Sequence, residues 1–319
     1  MAGLRYSRLS FSDLKGWADD DHQAALDVFA RTHGQLPPEW PPLAEADARR
    51  FFETAFAPVL IEDGQPMLFT GYFEPELDAS PVQTETHRFP AYAVPPDLDR
   101  NSPYLTRREI EGGALAGQGL ELAWFADPVD LFFLQVQGSG RLRFPDGSLV
   151  RLGFAAKNGH PYTSVGKVLV SRGVASVEDV SPELIRTWVA AHGAEGRALL
   201  WQNESYVFFR RLDDVAVTDG PLGAMGVSVT ADRTLAVDPD VTPMGAPVWI
   251  EKSGEIPMCR LMVAQDTGSA IKGAQRADIF FGTGDVAGRE AGKVKDGGRM
   301  VTLLPLALAD QLCDGVPHA

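Results

Sequence analysis

The rhythm of hydrophobic and polar positions changes twice along the chain. Over residues 11–56 apolar residues recur at helical spacing, with Ala24, Leu26, Val28 and Phe29 in one run and Ser12 or Asp13 placed to cap it. A proline-rich break over residues 36–42 separates this run from a second one over residues 44–56, so a helical preface is predicted. From Val59 the texture becomes short apolar runs punctuated by Gly and Pro (APVLIED, MLFTGYFEPEL, FPAYAVPPD), which predicts strands joined by tight turns. Residues 101–119 are polar and helix-compatible. DLFFLQVQGSGRLRF then alternates, predicting a strand that turns polar at Gln135, Gln137 and Ser139, with GSG either closing a hairpin or leaving amides free for a ligand. An amphipathic segment follows the NGHPY turn, residues 181–200 predict a helix with Leu184, Ile185, Trp188 and Val189 on one face, and WQNESYVFFRRL returns to strand texture. From Val215 onward, short strands and Gly/Pro turns without long helices predict a small β-barrel.

Composition bounds this picture. With 319 residues, 45% of them hydrophobic, the chain can bury one large core or two ordinary ones, and its length favours two domains. The 43 acidic residues outnumber 29 basic ones for a formal charge of -14, and no dense basic stripe appears, which argues against a nucleic-acid partner. Two cysteines, Cys259 and Cys313, are too few for a disulfide framework and lack metal-site spacing. The opening MAGLRYSRLSFSDLKGWADDD has no apolar run after its charges, and no stretch approaches membrane-span length, so neither a signal peptide nor a transmembrane helix is expected. His160 sits alone in a turn without a second ligand at metal spacing, and no metal or other cofactor is expected.

The chemistry concentrates in residues 261–282, LMVAQDTGSAIKGAQRADIFFG, where Asp266 and Asp278 are each embedded in apolar, strand-like sequence. An ionised carboxylate buried without partners is unfavourable, so each is hydrogen-bonded, raised in pKa or placed in a cleft, and the last two conditions make general acids. Asp266 opens an Asp-Thr-Gly string of the aspartic-protease type, but such an enzyme needs two aspartates, and one string per chain would require a symmetric homodimer. Ser139 in GSG is not a G-x-S-x-G nucleophile elbow. Glycoside cleavage fits better, because it needs a carboxylic acid in a groove of amides, hydroxyls and rings, which Gln135, Gln137, Ser139, Asn158, Tyr72 and Tyr162 can supply. Thr70, Gly71, Tyr72 and Glu74 gather where a strand ends at Pro75, either to meet a ligand or to form an ordinary capped strand end.

The strings FTGYFEP, LQVQGSGRL, KNGHPYTSVGKVL, NESYVFF and VAQDTGSAIKGAQRADIFFGTG, with VDPDVTPMGAPVWIE before the last, resemble the membrane-bound lytic murein transglycosylase A family, the final part being similar to its 3D domain. The resemblance runs from about Leu68 to Leu304 with the motifs in order. It implies a mainly β fold with peripheral helices: a double-psi β-barrel (residues 1–93 and 214–319) carrying an inserted second β-domain (residues 94–213), with a glycan groove between them. It implies non-hydrolytic cleavage of the MurNAc-β-1,4-GlcNAc bond to leave 1,6-anhydro ends, with Asp278 as the single acid/base. Thr70, Gly71, Tyr72, Gln137, Gly138, Ser139, Asn158, Asp266, Gly268 and Lys272 are then sugar-binding or supporting residues. Asp266 either stays charged beside Asp278 or holds its turn through backbone amides, and Asp238, before Pro239, is read as a turn residue. The partners implied are peptidoglycan glycan strands and a cell-wall synthesis or lysis complex, with a monomeric protein in the periplasm, associated with the outer membrane. The other readings are a non-catalytic peptidoglycan-binding protein and the homodimeric protease.

Overall fold

The computed structural model describes residues 3–43, 47–216 and 218–314, with no account of the Asp314 side chain. The chain divides into two compact units, Met1–Phe73 with Thr218–Ala319, and Glu74–Val217.

The first unit is built on a nine-stranded sheet in the order Arg5–Arg8, Phe56–Glu62, Gly298–Pro305, Pro247–Lys252, Met258–Thr267, Thr234–Val237, Arg276–Thr283, Leu68–Glu74 and Lys295–Asp296. The Thr234–Val237 strand runs parallel to Met258–Thr267 and antiparallel to Arg276–Thr283. Residues 261–265 are buried without interruption, as in a strand covered on both faces. Side chains alternate across a strand, so Leu261 and Val263 join one core and Met262 and Ala264 the other. The first core is aromatic, with Trp17, Phe29, Phe51, Phe52, Phe56 and Trp249 packed under the helices His22–His33 and Ala48–Ala55. The second is smaller in grain, with Phe69, Leu235, Val237, Val248, Ile250, Ala277 and Ile279. Gln265 links sheet to helix: its Nε2 donates to the Val28 carbonyl at 2.8 Å and to Thr32 Oγ1 at 3.1 Å, while its Oε1 accepts from Thr234 Oγ1 at 3.0 Å.

The second unit holds a four-stranded sheet, Glu76–Asp78, Ser139–Arg143, Leu149–Lys157 and Val207–Arg211, and a two-stranded one, Phe89–Tyr92 with Glu121–Phe125. Helices Pro128–Gln137, Val165–Ser171 and Pro182–Leu200 pack a shared core of Val129, Phe132, Leu169, Ile185, Val189 and Leu199. Glu74, fully buried, is neutralised by Arg151 in a two-point contact (2.7 and 3.2 Å) and by Arg141 at 3.3 Å.

The expected helical preface is present as His22–His33 and Ala48–Ala55, and residues 44–46 of that expectation lie outside the described residues. Helix Pro182–Leu200 is present too, started by Ser181, whose side chain accepts from the Leu184 amide. Three expectations are corrected. Residues 128–137 form a helix, not the alternating strand: Asp127 caps it by accepting from the Val129 amide at 2.8 Å, Pro128 occupies its first turn, and Gly138 closes it at φ 82°. GSG therefore ends a helix and starts a strand, and the hairpin turn lies later, where the Phe144 amide donates to the Ser148 carbonyl. The C-terminal third also contains helices, Gly284–Ala291 and Leu306–Asp314, among its strands. Among the described residues no helix is long and apolar enough to cross a membrane.

Candidate active site

The Thr234–Val237 strand places the two aspartates. Ala236 is opposite Asp266 on one neighbour and opposite Asp278 on the other. Side chains of directly opposed residues share a face, so both carboxylates emerge beside Ala236, roughly 10 Å apart by two strand spacings. That outcome depends on an irregularity. Leu235 pairs with Ala264 but Ala236 pairs with Asp266, so Gln265 is an extra residue in the ladder. Strict alternation would put Asp266 on the face of Met262 and Ala264, inside the second core; the bulge turns it to the opposite face. Asp278 needs no such device, since its neighbours Ala277 and Ile279 fill that core and leave it facing away. On the adjoining Leu68–Glu74 strand Phe69 is in the core, so Thr70 and Tyr72 lie on the same side as the carboxylates.

The hydrogen bonds distinguish the two acids. Asp266 accepts from Tyr72 Oη at 2.9 Å, from the Ala224 amide at 3.0 Å and from its neighbour Thr267's amide at 2.9 Å. Among the described residues Asp278 accepts from one group, Thr70 Oγ1, at 2.7 Å. Burial is the largest influence on both and pushes both carboxyls above the ordinary aspartate value. For Asp266 the Thr267 amide, the Tyr72 hydroxyl and the Ala224 amide pull back, and the charge of Asp278 pushes further up. For Asp278 the Thr70 hydroxyl and the Arg276 charge pull back. Burial, then the Asp266 charge, holds the Tyr72 phenol well above its usual range, so it remains a proton donor. Its ring lies 5.1 Å from that of Phe280, which sits two positions after Asp278 on the same face.

The other expected residues have different surroundings. Gly71 provides close approach to protein, since a Cβ there would lie 2.7 Å from the Ala291 Cα. A Cβ at Gly268 would lie 2.8 Å from Ile271 Cγ1. Lys272 donates to Asp238 at 2.8 Å and to Asp240 at 3.4 Å. Asp238 also accepts from the amides of Gly273 and Asp240, the second closing the predicted turn. Burial works to raise the Asp238 carboxyl, yet these bonds outweigh it and hold it below the ordinary value. In the second unit, Gln137 ends its helix, Gly138 caps it, and Ser139 opens the next strand opposite Gly153. Asn158 is buried: its Nδ2 donates to the Leu105 and Glu204 carbonyls and its Oδ1 accepts from the Tyr206 and His160 amides, which fills the capacity of a side-chain amide. Among the described residues no group of three His, Cys, Asp or Glu is arranged to hold a metal ion.

Arg276 was absent from the sequence-derived set. It donates through Nη2 to Thr70 Oγ1 at 2.9 Å, and its Nη1 is tied to the carbonyls of Ala277 (2.6 Å) and Leu68 (3.3 Å). The available signal was its position two residues before Asp278, which puts both on one strand face.

Comparison with known proteins adds to this geometry. Residues 68–210 match the MltA specific insert domain and residues 233–304 match the 3D domain. A solved membrane-bound lytic murein transglycosylase from Agrobacterium tumefaciens is 34% identical and superposes with a TM-score of 0.85, over 96% of this chain and 99% of that one. The chain belongs to the membrane-bound lytic murein transglycosylase A family. The Vibrio cholerae member is 36% identical over 248 residues, 73% of this chain, and the chain spans 64% of that relative's length, just under two thirds. The Escherichia coli MltA solved with bound chitohexaose is 31% identical with a TM-score of 0.76, over 89% of this chain and 90% of that one. Thr70, Gly71, Tyr72, Gln137, Gly138, Ser139 and Asn158 fall within the MltA insert match, and Asp266, Gly268, Lys272 and Asp278 within the 3D match.

Proposed function

We propose that this chain is a peptidoglycan lytic transglycosylase that cleaves the MurNAc-β-1,4-GlcNAc bond without water, with Asp278 as its single acid/base. The observation that carries the reading is the inequality of two carboxylates on one sheet face, Asp266 with three donors and Asp278 with one. More donors stabilise the charged form of a carboxylate, so we assign the charge to Asp266 and the retained proton to Asp278, which burial favours as the neutral acid. Asp278 then gives that proton to the leaving glycosidic oxygen as the bond to C1 breaks. The Asp278 carboxylate next takes the proton of the muramoyl C6 hydroxyl while O6 bonds to C1, which closes the 1,6-anhydro ring and restores the acid. Because the nucleophile belongs to the substrate, no second catalytic carboxylate is required. Tyr72 holds Asp266 in place and favours its charged form against burial.

Membership of the family and the chitohexaose bound by the Escherichia coli relative support a glycan ligand. We place Gln137, Gly138 and Ser139 with Thr70, Tyr72, Gly268 and Lys272 among the glycan-binding or supporting residues, and read the first unit as a double-psi β-barrel into which a second β-domain is inserted. The setting is the periplasm at the outer membrane, the partners being glycan strands and a wall-synthesis or lysis complex. The test is mass spectrometry of digested peptidoglycan. Anhydro-terminated fragments, absent with Asp278→Ala and lowered by at least about 100-fold with Asp278→Asn, are expected. Reducing ends would make the protein a hydrolase, and glycan binding without cleavage would make it a wall-binding module.

A further inference from the structure

We propose that Arg276 is a positioning residue: by donating to Thr70 Oγ1 it directs the threonine proton onto Asp278 Oδ1, and so fixes Oδ2 as the oxygen that carries the catalytic proton. A hydroxyl has one proton and two lone pairs. Arg276 Nη2, 2.9 Å from Thr70 Oγ1, cannot accept, so Thr70 must spend its acceptor capacity there and its single proton on Asp278, 2.7 Å away. The chain of bonds therefore has one direction, guanidinium to hydroxyl to carboxyl. Arg276 cannot easily swing away, because its Nη1 is held by the carbonyls of Ala277 and Leu68, one on its own strand and one on that of Thr70. The carbonyl oxygen of a neutral acid is its stronger acceptor, so a hydrogen bond from Thr70 to Oδ1 favours the proton on Oδ2. Without Arg276, Thr70 could rotate and accept from the acid, which would move the proton to the wrong oxygen. The same residue also places a positive charge beside Asp278.

This inference rests on Asp278 being the acid, so the experiment includes Asp278→Ala as a reference. Arg276→Met, Thr70→Val, Thr70→Ser and the Arg276→Met/Thr70→Val double variant are compared with the parent for anhydro-product formation across pH, with thermal unfolding followed in parallel. Losing one charge-assisted hydrogen bond in the chain should lower kcat about 10- to 100-fold. Thr70→Ser should recover activity, and the double variant should be no worse than the poorer single one, because both remove one relay. Removing either group also removes something that favours ionised Asp278, so the high-pH limb of kcat/KM should move to higher pH in both single variants. A side chain that only supports folding would change the unfolding temperature and leave that limb in place. Activity retained in Asp278→Ala overturns the assignment of the acid itself. Inactive Asp278→Ala alongside parent-like rate and pH limb in Arg276→Met, or losses that multiply in the double variant, overturns this inference alone.

Discussion

At the scale of single residues, the site is defined by how few partners Asp278 has. A carboxyl with a folded pKa above its unfolded value is penalised when ionised, so its cost to stability is absent below the unfolded pKa and grows as pH rises through the folded pKa. Asp278→Asn should therefore raise the unfolding temperature at pH 7, on the order of 1–3 °C, while lowering turnover at least about 100-fold, and the gap should close near pH 3, where the parent is protonated as well. An equal gap at both pH values would show that the gain has nothing to do with ionisation. Much of this residue's environment was legible: an aspartate amid Ile279, Phe280 and Phe281 had to be a costly one. Arg276 was not, because its partner Thr70 is 206 positions away and no local pattern records a pairing at that distance.

At the scale of elements, the sequence spoke clearly where capping and period agreed and misled where they disagreed. Leu184, Ile185, Trp188 and Val189 at helical spacing announced the helix Pro182–Leu200 correctly, and Ser181 caps it. For residues 128–137 the alternation of Leu134, Gln135, Val136 and Gln137 read as a strand, while Asp127, Pro128 and Gly138 carried the helical start and stop signals that prevailed. The helix Gly284–Ala291 was hidden by its two glycines, Gly284 and Gly288, which lower intrinsic propensity; packing against the sheet compensates. Gly288 is where the Phe73 ring comes close, and Gly71 is where the Ala291 backbone does. Gly71→Ala should consequently destabilise the protein by about 1–3 kcal/mol through overpacking against backbone that cannot rotate aside. Urea unfolding measures it, and a midpoint unchanged from the parent would show that the helix can shift.

At the scale of the whole molecule, the formal charge of -14 acts before any contact forms. Peptidoglycan bearing free stem-peptide carboxylates is itself anionic, so long-range repulsion should slow its encounter with this chain, and salt should relieve it. Raising ionic strength from about 0.01 to 0.1 M shortens the screening length from roughly 30 to 10 Å, and KM for peptidoglycan is expected to fall severalfold over that range. Binding of an uncharged chito-oligosaccharide should not change, and equal salt effects on both ligands would contradict the argument. Chain length favoured two domains and the structure divides into two units, whereas the sheet order was not legible, since strands adjacent in space, such as Leu68–Glu74 and Arg276–Thr283, are separated by most of the chain.

The bulge at Gln265 has a consequence for how such a site can vary. Whether Asp266 meets Tyr72 or enters the apolar core depends on the number of residues between Ala264 and Thr267, not only on which residues they are. A deletion of one residue there would preserve the composition of the motif almost intact and still exchange inside for outside. A change of length there would therefore move Asp266 between faces, which a substitution that keeps the length would not do.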